Sequence, residues 1–533
     1  MAPSVQPRGW AAATPSVKSA RARIPVAGIF HFVTALSLPA FAQAVSRTLR
    51  PGRVLPSTGE VLLLDTPTFA LRRHGWLLIL IDESGEHSLS LRQLGRQATL
   101  IARAAERVPE AVHDVDNRPL RERLEARIGD SRLVVVQRWQ THGVRHECRN
   151  DDDPVECTLV ARQYHALVPG GPASPVLVEL LPKRGYADET DDLARTLAQH
   201  LPWRAMVRDA CELLGDLYLA AAAAQCADLP PLRQTTAATA VASWLLEHQA
   251  TLCAKVVPGA PPDAEQLHAL RVAMRHSRSL LRAYRDLLGR DLERHIQGEL
   301  RWLATATSRL RDIDVLHAAL LEPAADYAAL DAYERQRLLN FLARERARDA
   351  ARLQRALESR RYRRLRQIWP LALATVINQA PPDAPSIAVS AAAAIRSALV
   401  RLRRDIIAVE ANPSPSVVHE LRKQCKRVRY LVEPCACLYP REQIARAQSG
   451  LKQLQTRLGQ SCDRHAQWAL FEGHLWRRAK GRAALRTALK SARLALGQRL
   501  ADSDLSVVRG ALAEFDAGRY LTTLGSLLEM PDL

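Results

Sequence analysis

A short pattern occurs twice in this 533-residue chain, and it limits the possible folds more than any other feature. Residues 268–278 read His268-Ala-Leu-Arg271-Val-Ala-Met-Arg275-His276-Ser-Arg278. Residues 419–429 read His419-Glu-Leu-Arg422-Lys-Gln-Cys-Lys426-Arg427-Val-Arg429. The offset is 151 residues, and the same offset carries Arg301 onto Lys452, Leu303 onto Leu454 and Asp312 onto Asp463. One register held from 268 to 312 implies two similar units, and hence a pseudo-twofold assembly.

The type of unit follows from the periodicity around the repeat. Beyond residue 235 every long segment has helical spacing. Pro and Gly mark the breaks, at Pro258–Pro262, Pro323, Pro370, Pro381–Pro385, Pro413–Pro415 and Pro440. Ala, Leu and Arg dominate this part, and they lose little on entering a helix. The reading is an all-α domain over 236–525 made of two pseudo-symmetric helical bundles, repeat 1 at about 236–375 and repeat 2 at about 387–525.

The remainder reads differently. Residues 1–24, rich in Ala, Pro, Ser and Arg, read as disordered. Residues 25–215 read as an α+β domain, and 216–235 as a linker with a Pro-Pro and polar stretch at 229–235. Short Val-, Leu- and Ile-rich runs predict strands at Val61–Leu64, Trp76–Ile81, Ser88–Leu91, Leu133–Trp139, Val155–Val160 and Val176–Leu181. Helical patterns lie at about 39–49, 92–107 and 189–223. The apolar run Ile24–Phe41 ends in Ala40-Phe41-Ala42, which looks like a secretory leader with its cleavage site, but Pro25, His31 and Pro39 interrupt it. No stretch is long and apolar enough to span a membrane. The nine Cys follow no disulfide framework, and Cys435 and Cys437 have no second pair at zinc-finger distance, a pattern that fits a reducing compartment.

The net charge of +19 is unevenly distributed. Residues 231–533 hold 48 Lys+Arg against 30 Asp+Glu, while residues 1–230 hold 27 against 26. A basic helical domain points to a polyanion: nucleic acid, an anionic surface or polyphosphate. His268, Arg271, Arg275, Arg278, Arg282 and Arg285 are spaced 3, 4, 3, 4, 3, and His419, Arg422, Lys426 and Arg429 are spaced 3, 4, 3. At 3.6 residues per turn each set falls on one face of one helix. Like charges at i, i+4 repel by a few tenths of a kcal/mol per pair, so a face built this way needs an anion or an acidic neighbour. Arg suits phosphate because its planar fork donates two hydrogen bonds at once. Neighbouring carboxylates would equally satisfy a stripe, and the sequence leaves that reading open. Arg344, Arg348, Arg352 and Arg355 form a further face expected to line the same cleft, and Arg360–Arg366 reads as a solvated helix end.

These motifs, together with Leu310-Arg-Asp-Ile-Asp-Val315, resemble the CHAD family, the conserved-histidine α-helical domain, over roughly 232–525. The resemblance implies two pseudo-symmetric helical bundles around a basic channel that binds inorganic polyphosphate. The binding residues it implies are His268, Arg271, Arg275, Arg278, His419, Arg422, Lys423, Lys426, Arg427 and Arg429. Arg282, Arg344, Arg348 and Arg352 join them from the stripe spacing. His276 departs from the family pattern, which has a second consecutive Arg there.

The segment Leu64-Asp-Thr-Pro-Thr-Phe-Ala-Leu-Arg-Arg-His-Gly-Trp76 resembles the CYTH family of triphosphate tunnel enzymes, which often precedes a CHAD domain. That resemblance implies an antiparallel β-tunnel in which carboxylates hold a divalent metal and Arg and Lys hold the triphosphate. The family opens with E-x-E-x-K before an L-x-L-P-like strand end. Here Leu36-Ser37-Leu38-Pro39 fits that end, and His31, Val33 and Ala35 take the E, E and K positions. The alignment makes the apolar 28–38 run a first β-strand and is preferred to the leader. The family's L-R-V-R strand becomes Leu78-Ile79-Leu80-Ile81, and its T-L-K becomes Ser90-Leu91-Arg92. Glu156 and Glu179 remain acidic, while Val160 and Leu181 stand where further carboxylates belong.

The expectation is a catalytically inactive tunnel domain beside a polyphosphate-binding helical domain, with no catalytic residue, metal ligand set or cofactor. No GxxxxGK(S/T), GxSxG or HExxH motif occurs. Two alternatives stand beside it: a metal-dependent triphosphatase that recruits polyphosphate through the helical domain, and a nucleic-acid binder, for which only Tyr284 and Tyr430 lie near the stripes to stack bases. The polyphosphate reading implies a cytoplasmic protein at polyphosphate granules with no membrane partner, and the leader reading would place it in the periplasm.

Overall fold

A computed structural model describes residues 30–49, 54–83, 86–93, 99–103, 108–149, 155–166, 173–183, 186–205, 210–227, 232–254, 256, 260–322, 326–381 and 383–529. The expected disordered segment 1–24 lies outside the described residues. The N-terminal part runs β1 (Phe30–Thr34), α1 (Leu38–Thr48), β2 (Val54–Asp65), α2 (Ala70–Arg73), β3 (Trp76–Glu83), β4 (Glu86–Gln93), β5 (Thr99–Arg103) and α3 (Arg118–Ile128). It continues through β6 (Val134–Arg149), β7 (Val155–Ala166), β8 (Val176–Pro182), α4 (Ala187–His200), β9 (Trp203–Ala205) and α5 (Ala210–Ala227).

All six strands expected from short apolar runs are present, and β1 occupies the apolar run that had competed as a leader. Its strand is shorter than expected: Leu38 and Pro39 open α1, Pro39 standing in the first turn where its missing N–H is no loss. The helix expected at 92–107 is instead the end of β4 and β5, paired antiparallel with Leu91 opposite Leu100 and Ser90 opposite Ile101. Short apolar runs do not distinguish helix from strand, and here the neighbouring strand supplies the hydrogen bonds. The helix expected over 189–223 is two helices separated by β9.

The chain divides into two compact units. The first holds residues 1–57, 142–163 and 175–207. In it β7, β8, β1 and β9 are successive antiparallel neighbours, covered by α1 and α4 around Phe32, Phe41, Val45, Leu159, Val178, Leu180 and Leu197. The second holds residues 58–141, 164–174 and 208–533. Its antiparallel strands β2 to β5 enclose Leu62, Leu64, Leu78, Leu80, Leu89 and Leu91 with α3. The nine strands form one sheet in the order β5-β4-β3-β2-β6-β7-β8-β1-β9, and residues 58–141 of it group by contacts with the helices. Thr375 donates to the carbonyl of Val136 at 2.7 Å, and Gln379 to that of Val135 at 3.0 Å. The expected linker 216–235 is helical as far as Ala227.

The helical part runs α6 (Ala237–Ala254), α7 (Ala264–Ala283), α8 (Arg285–Leu288), α9 (Arg290–Leu321), α10 (Ala332–Glu358) and α11 (Arg360–Asn378). It then repeats as α12 (Ile387–Ala411), α13 (Pro415–Val432), α14 (Arg441–Leu470), α15 (Trp476–Arg478), α16 (Ala483–Glu514) and α17 (Ala517–Glu529). The first residues of α7, α9 and α10 precede those of α13, α14 and α16 by the same 151 residues as the sequence repeat. α6 packs on α12, α7 on α13, α9 on α14 and α10 on α16, so each helix meets its own counterpart. Such isologous contact marks a twofold relation. A reciprocal bridge completes it: Ala237 N–H donates to Pro385 and Ile387 N–H to Thr235, both at 2.9 Å. Pro258 and Pro323 lie outside the described residues, and of the other expected breaks Pro262, Pro381, Pro385, Pro413 and Pro440 fall between helices and Pro415 opens one. Pro370 is the exception, lying within α11.

Candidate anion-binding site

α7 and α13 carry the two stripes, and their ends are fixed locally. Asp263 caps α7 in a reciprocal box with Gln266, at 2.7 and 3.0 Å. Ser414 caps α13, with Pro415 following as its first residue. Leu267, Leu270, Met274, Leu280 and Leu281 of α7, and Val418, Leu421, Cys425, Val428 and Leu431 of α13, are buried on the opposite faces. Burying those faces leaves the cationic ones directed at each other across the α7–α13 contact. The first stripe ends with its helix, since Arg285 begins the separate turn α8.

Arg271 is fixed to α9: its Nη1 donates to Thr307 Oγ1 at 2.9 Å and to Ser308 Oγ and the Ala304 carbonyl at 3.3 Å. Its counterpart Arg422 donates to Asp463 Oδ1 at 3.2 Å. Gly459 leaves room for that guanidinium, as a Cβ there would lie 3.2 Å from Arg422 Nη2. Burial, then Arg275, pushes the Arg271 guanidinium down to about 10. Burial also lowers Arg275, with Arg422, Arg311 and Arg429 adding to the effect. Burial, then Arg422 and Arg275, lowers the Lys426 ammonium to about 7. His268 and His419 are exposed, and both are shifted down by partial burial and by neighbouring cations. These groups crowd like charges in a poorly solvated place, which a bound polyanion would relieve.

A groove of about 510 Å³ opens beside this cluster. Arg275, Arg278, Arg282, Lys423, Lys426 and Arg427 line it, joined by Arg401 of α12 and Arg285, with Asp286 as the lining carboxylate. Arg278 donates to Gln297 at 3.3 Å, and Arg427 to Gln424 at 3.0 Å. Lys423 pairs with Glu420. Arg401 was not expected from the sequence. It lies outside both stripes, among Arg403 and Arg404, and only the packing of α12 on α13 brings it to the groove. Arg311 likewise joins the central cluster from α9.

Other expected members lie elsewhere. Arg429 is 3.0 Å from Glu433, and His276 stacks on Tyr430 with ring centroids 3.8 Å apart. The cleft expected to include Arg344, Arg348 and Arg352 is not formed by them. They sit on α10, which packs on α9, α11 and α16. Arg348 pairs with buried Glu345, and Arg352 with buried Asp349 at 3.0 Å. His474 and Arg478 also reach Glu345, at 3.0 and 3.2 Å. Arg344 is exposed. A carboxylate three residues earlier on the same helix claims Arg348 and Arg352.

In the first unit, His31 and Val33 of β1 stand opposite Glu179 and Leu177 of β8, and the backbone pairs Val160 with Glu179. Glu179 is buried and accepts from Arg162 at 3.2 Å. The side chains of His31 and Glu156 lie outside the described residues. In the second unit Ile79 and Ile81 stand at the two Arg positions of that strand, Ile79 buried and Ile81 half-buried. Among the described residues, no three His, Cys, Asp or Glu side chains gather in a way that could hold a metal ion. No described helix is long and apolar enough to cross a membrane.

The CHAD domain family model matches residues 236–472. Among solved structures, the chain is similar to the CHAD domain of the plant Ricinus communis, with 25% identity and a TM-score of 0.44 over 54% of this chain and 96% of that one. PptA from Streptomyces chartreusis matches at 17% identity and a TM-score of 0.38, over 54% of this chain and 100% of that one. A Hippeastrum protein described as an adenylyl cyclase with a dominant triphosphatase activity matches at 12% identity and a TM-score of 0.28, over 35% of this chain and 94% of that one. No curated protein matches the sequence.

Proposed function

Residues 236–472 are a CHAD domain, and on that premise we propose that this protein binds inorganic polyphosphate. The observation that carries the reading is the groove between α7 and α13, where cations from both repeats face one space with few carboxylates among them. A linear chain of closely spaced phosphates can neutralise several of these cations at once, and Arg offers it paired donors. The polymer lies along Arg275, Arg278, Arg282, Lys423, Lys426 and Arg427, with Arg271, Arg422 and the exposed His268 and His419 beside them. A polyanion held this way releases counterions, so affinity falls steeply with salt.

Nucleic acid is the second reading. A groove of this size with Tyr430 as its lining aromatic offers little for base stacking. Titration of the full chain with long-chain polyphosphate, single-stranded DNA and RNA at equal phosphate separates the two. Preference for polyphosphate supports the proposal, and equal or tighter binding of nucleic acid contradicts it.

The N-terminal sheet is proposed to be catalytically inactive. His31 and Val33 replace the carboxylates that the tunnel chemistry needs, and Glu179 is engaged by Arg162. The localisation that goes with this function is the cytoplasm, at polyphosphate granules.

A further inference from the structure

The pseudo-twofold relation supplies each groove-lining residue with a counterpart across the axis, and the two sides differ in charge. The 151-residue offset carries Arg278 onto Arg429, Arg282 onto Glu433, His276 onto Arg427 and Val272 onto Lys423. For α6 and α12 the reciprocal bridge fixes an offset of 150, pairing Glu247 with Ser397, His248 with Ala398 and Thr251 with Arg401. On the groove side stand Arg278, Arg282, Arg401, Lys423 and Arg427. Across the axis stand Arg429, Glu433, Thr251, Val272 and His276, with Glu247 close by in sequence.

The second side is also filled. His276 stacks on Tyr430 at 3.8 Å, and His248 meets His276 edge-on at 5.1 Å. Glu433 lies 3.5 Å from His276 and 3.0 Å from Arg429, the one cation this side retains from the stripe. On the groove side Ala398 and Ser397 replace the bulk of His248 and Glu247, which leaves the space open.

We infer that the polyanion leaves the Arg275–Lys426 axis on one side only, into the arm lined by Arg278, Arg282, Arg401 and Arg427, while the pseudo-symmetric arm is sealed by the contiguous rings of Tyr430, His276 and His248 and neutralised by Glu433. The two repeats therefore hold one polymer along one path. Arg401 is a specificity-determining residue of the open arm, and Arg429 serves the closed one as a structural ion pair. This inference rests on the polyphosphate reading above.

The test compares counterparts in the full chain, with long-chain polyphosphate as the probe across a range of salt. Arg278→Ala and the pair Arg282→Ala/Arg401→Ala are expected to weaken binding about tenfold or more and to flatten the salt dependence by about one counterion for each phosphate-binding cation removed. Arg429→Ala is expected to change affinity less than twofold at unchanged salt slope. Its melting curve shows whether it folds. Thr251→Arg, at an exposed position, adds a cation to the closed arm without touching the core, and it too is expected to leave affinity within twofold. Equal losses for Arg278→Ala and folded Arg429→Ala, or a tenfold gain for Thr251→Arg, overturn the one-sided arrangement while polyphosphate binding stands. Failure of the unaltered chain to bind removes the functional reading itself, and this inference with it.

Discussion

Lys426 is held at about 7, where a free ammonium sits near 10.5. Between those values the unfolded chain keeps a proton that the folded one has released, so this residue makes the fold more stable as pH rises from about 7 to 10.5. A phosphate placed beside it restores the charge. Binding at pH 8 is therefore expected to take up protons, approaching one per site, and affinity is expected to fall from pH 6.5 to 8.5. Calorimetry in buffers of different ionisation enthalpy measures the uptake, and Lys426→Arg is expected to abolish it. Uptake that persists in Lys426→Arg would assign the proton to another group. His268, His419, Arg275, Arg422 and Asp463 face the same space. Much of this site was legible one residue at a time. The 3, 4 spacing placed Arg271, Arg275, Arg278 and Arg282 on one face, and the structure keeps them there. The separate fates of Arg427 and Arg429 were not legible, because each depends on what stands opposite: open space beside Ala398 for one, and Glu433 for the other.

At the scale of elements, the helix starts follow the repeat to the residue, although only Asp263 and Ser414 supply a side-chain cap in both copies and Asp331 is matched by Arg482, which makes no cap bond. Asp331 and Ser359 cap α10 and α11 in the same manner as Asp263 caps α7. Pro370 misled because a proline inside a packed helix is held by its neighbours, with Ile368, Trp369 and Leu371 buried around it. The arginines of α10 show how spacing alone overreaches. Their periodicity matched a binding face, yet Glu345 and Asp349 beneath them are almost wholly buried and need those cations. Arg348→Ala and Arg352→Ala are accordingly expected to leave polyphosphate affinity within twofold. Glu345→Ala strands His474, Arg478 and Arg348 without their carboxylate. Those partners are partly solvated, so the expected loss is about 2 kcal/mol, below the range for a fully buried pair. The urea midpoint measures it, and an unchanged midpoint would show that solvent already satisfies the cluster.

For the molecule as a whole, composition located the basicity correctly in the C-terminal part, where the grooved bundle lies. By contacts, residues 58–141 group with the helices, and a sheet packed against helices leaves no trace in local composition. Residues 58–141 read as part of one β-domain, but Thr375 and Gln379 of α11 bond the backbone of β6. The expected loss of tunnel chemistry rests on replacements spread over β1, β3, β7 and β8, and it carries its own test. The full chain is expected to release no phosphate from tripolyphosphate with either magnesium or manganese. Metal-dependent release would restore the triphosphatase reading. On the proposed function, the paired stripes bind a polyanion. The most direct test is titration of the full chain with long-chain polyphosphate at low and high salt, beside the variant Arg271→Ala/Arg275→Ala/Arg422→Ala/Lys426→Ala. Tight, salt-sensitive binding is expected, which the variant loses while remaining folded. Equal binding by the two folded proteins would contradict it and leave the stripes as structural charges.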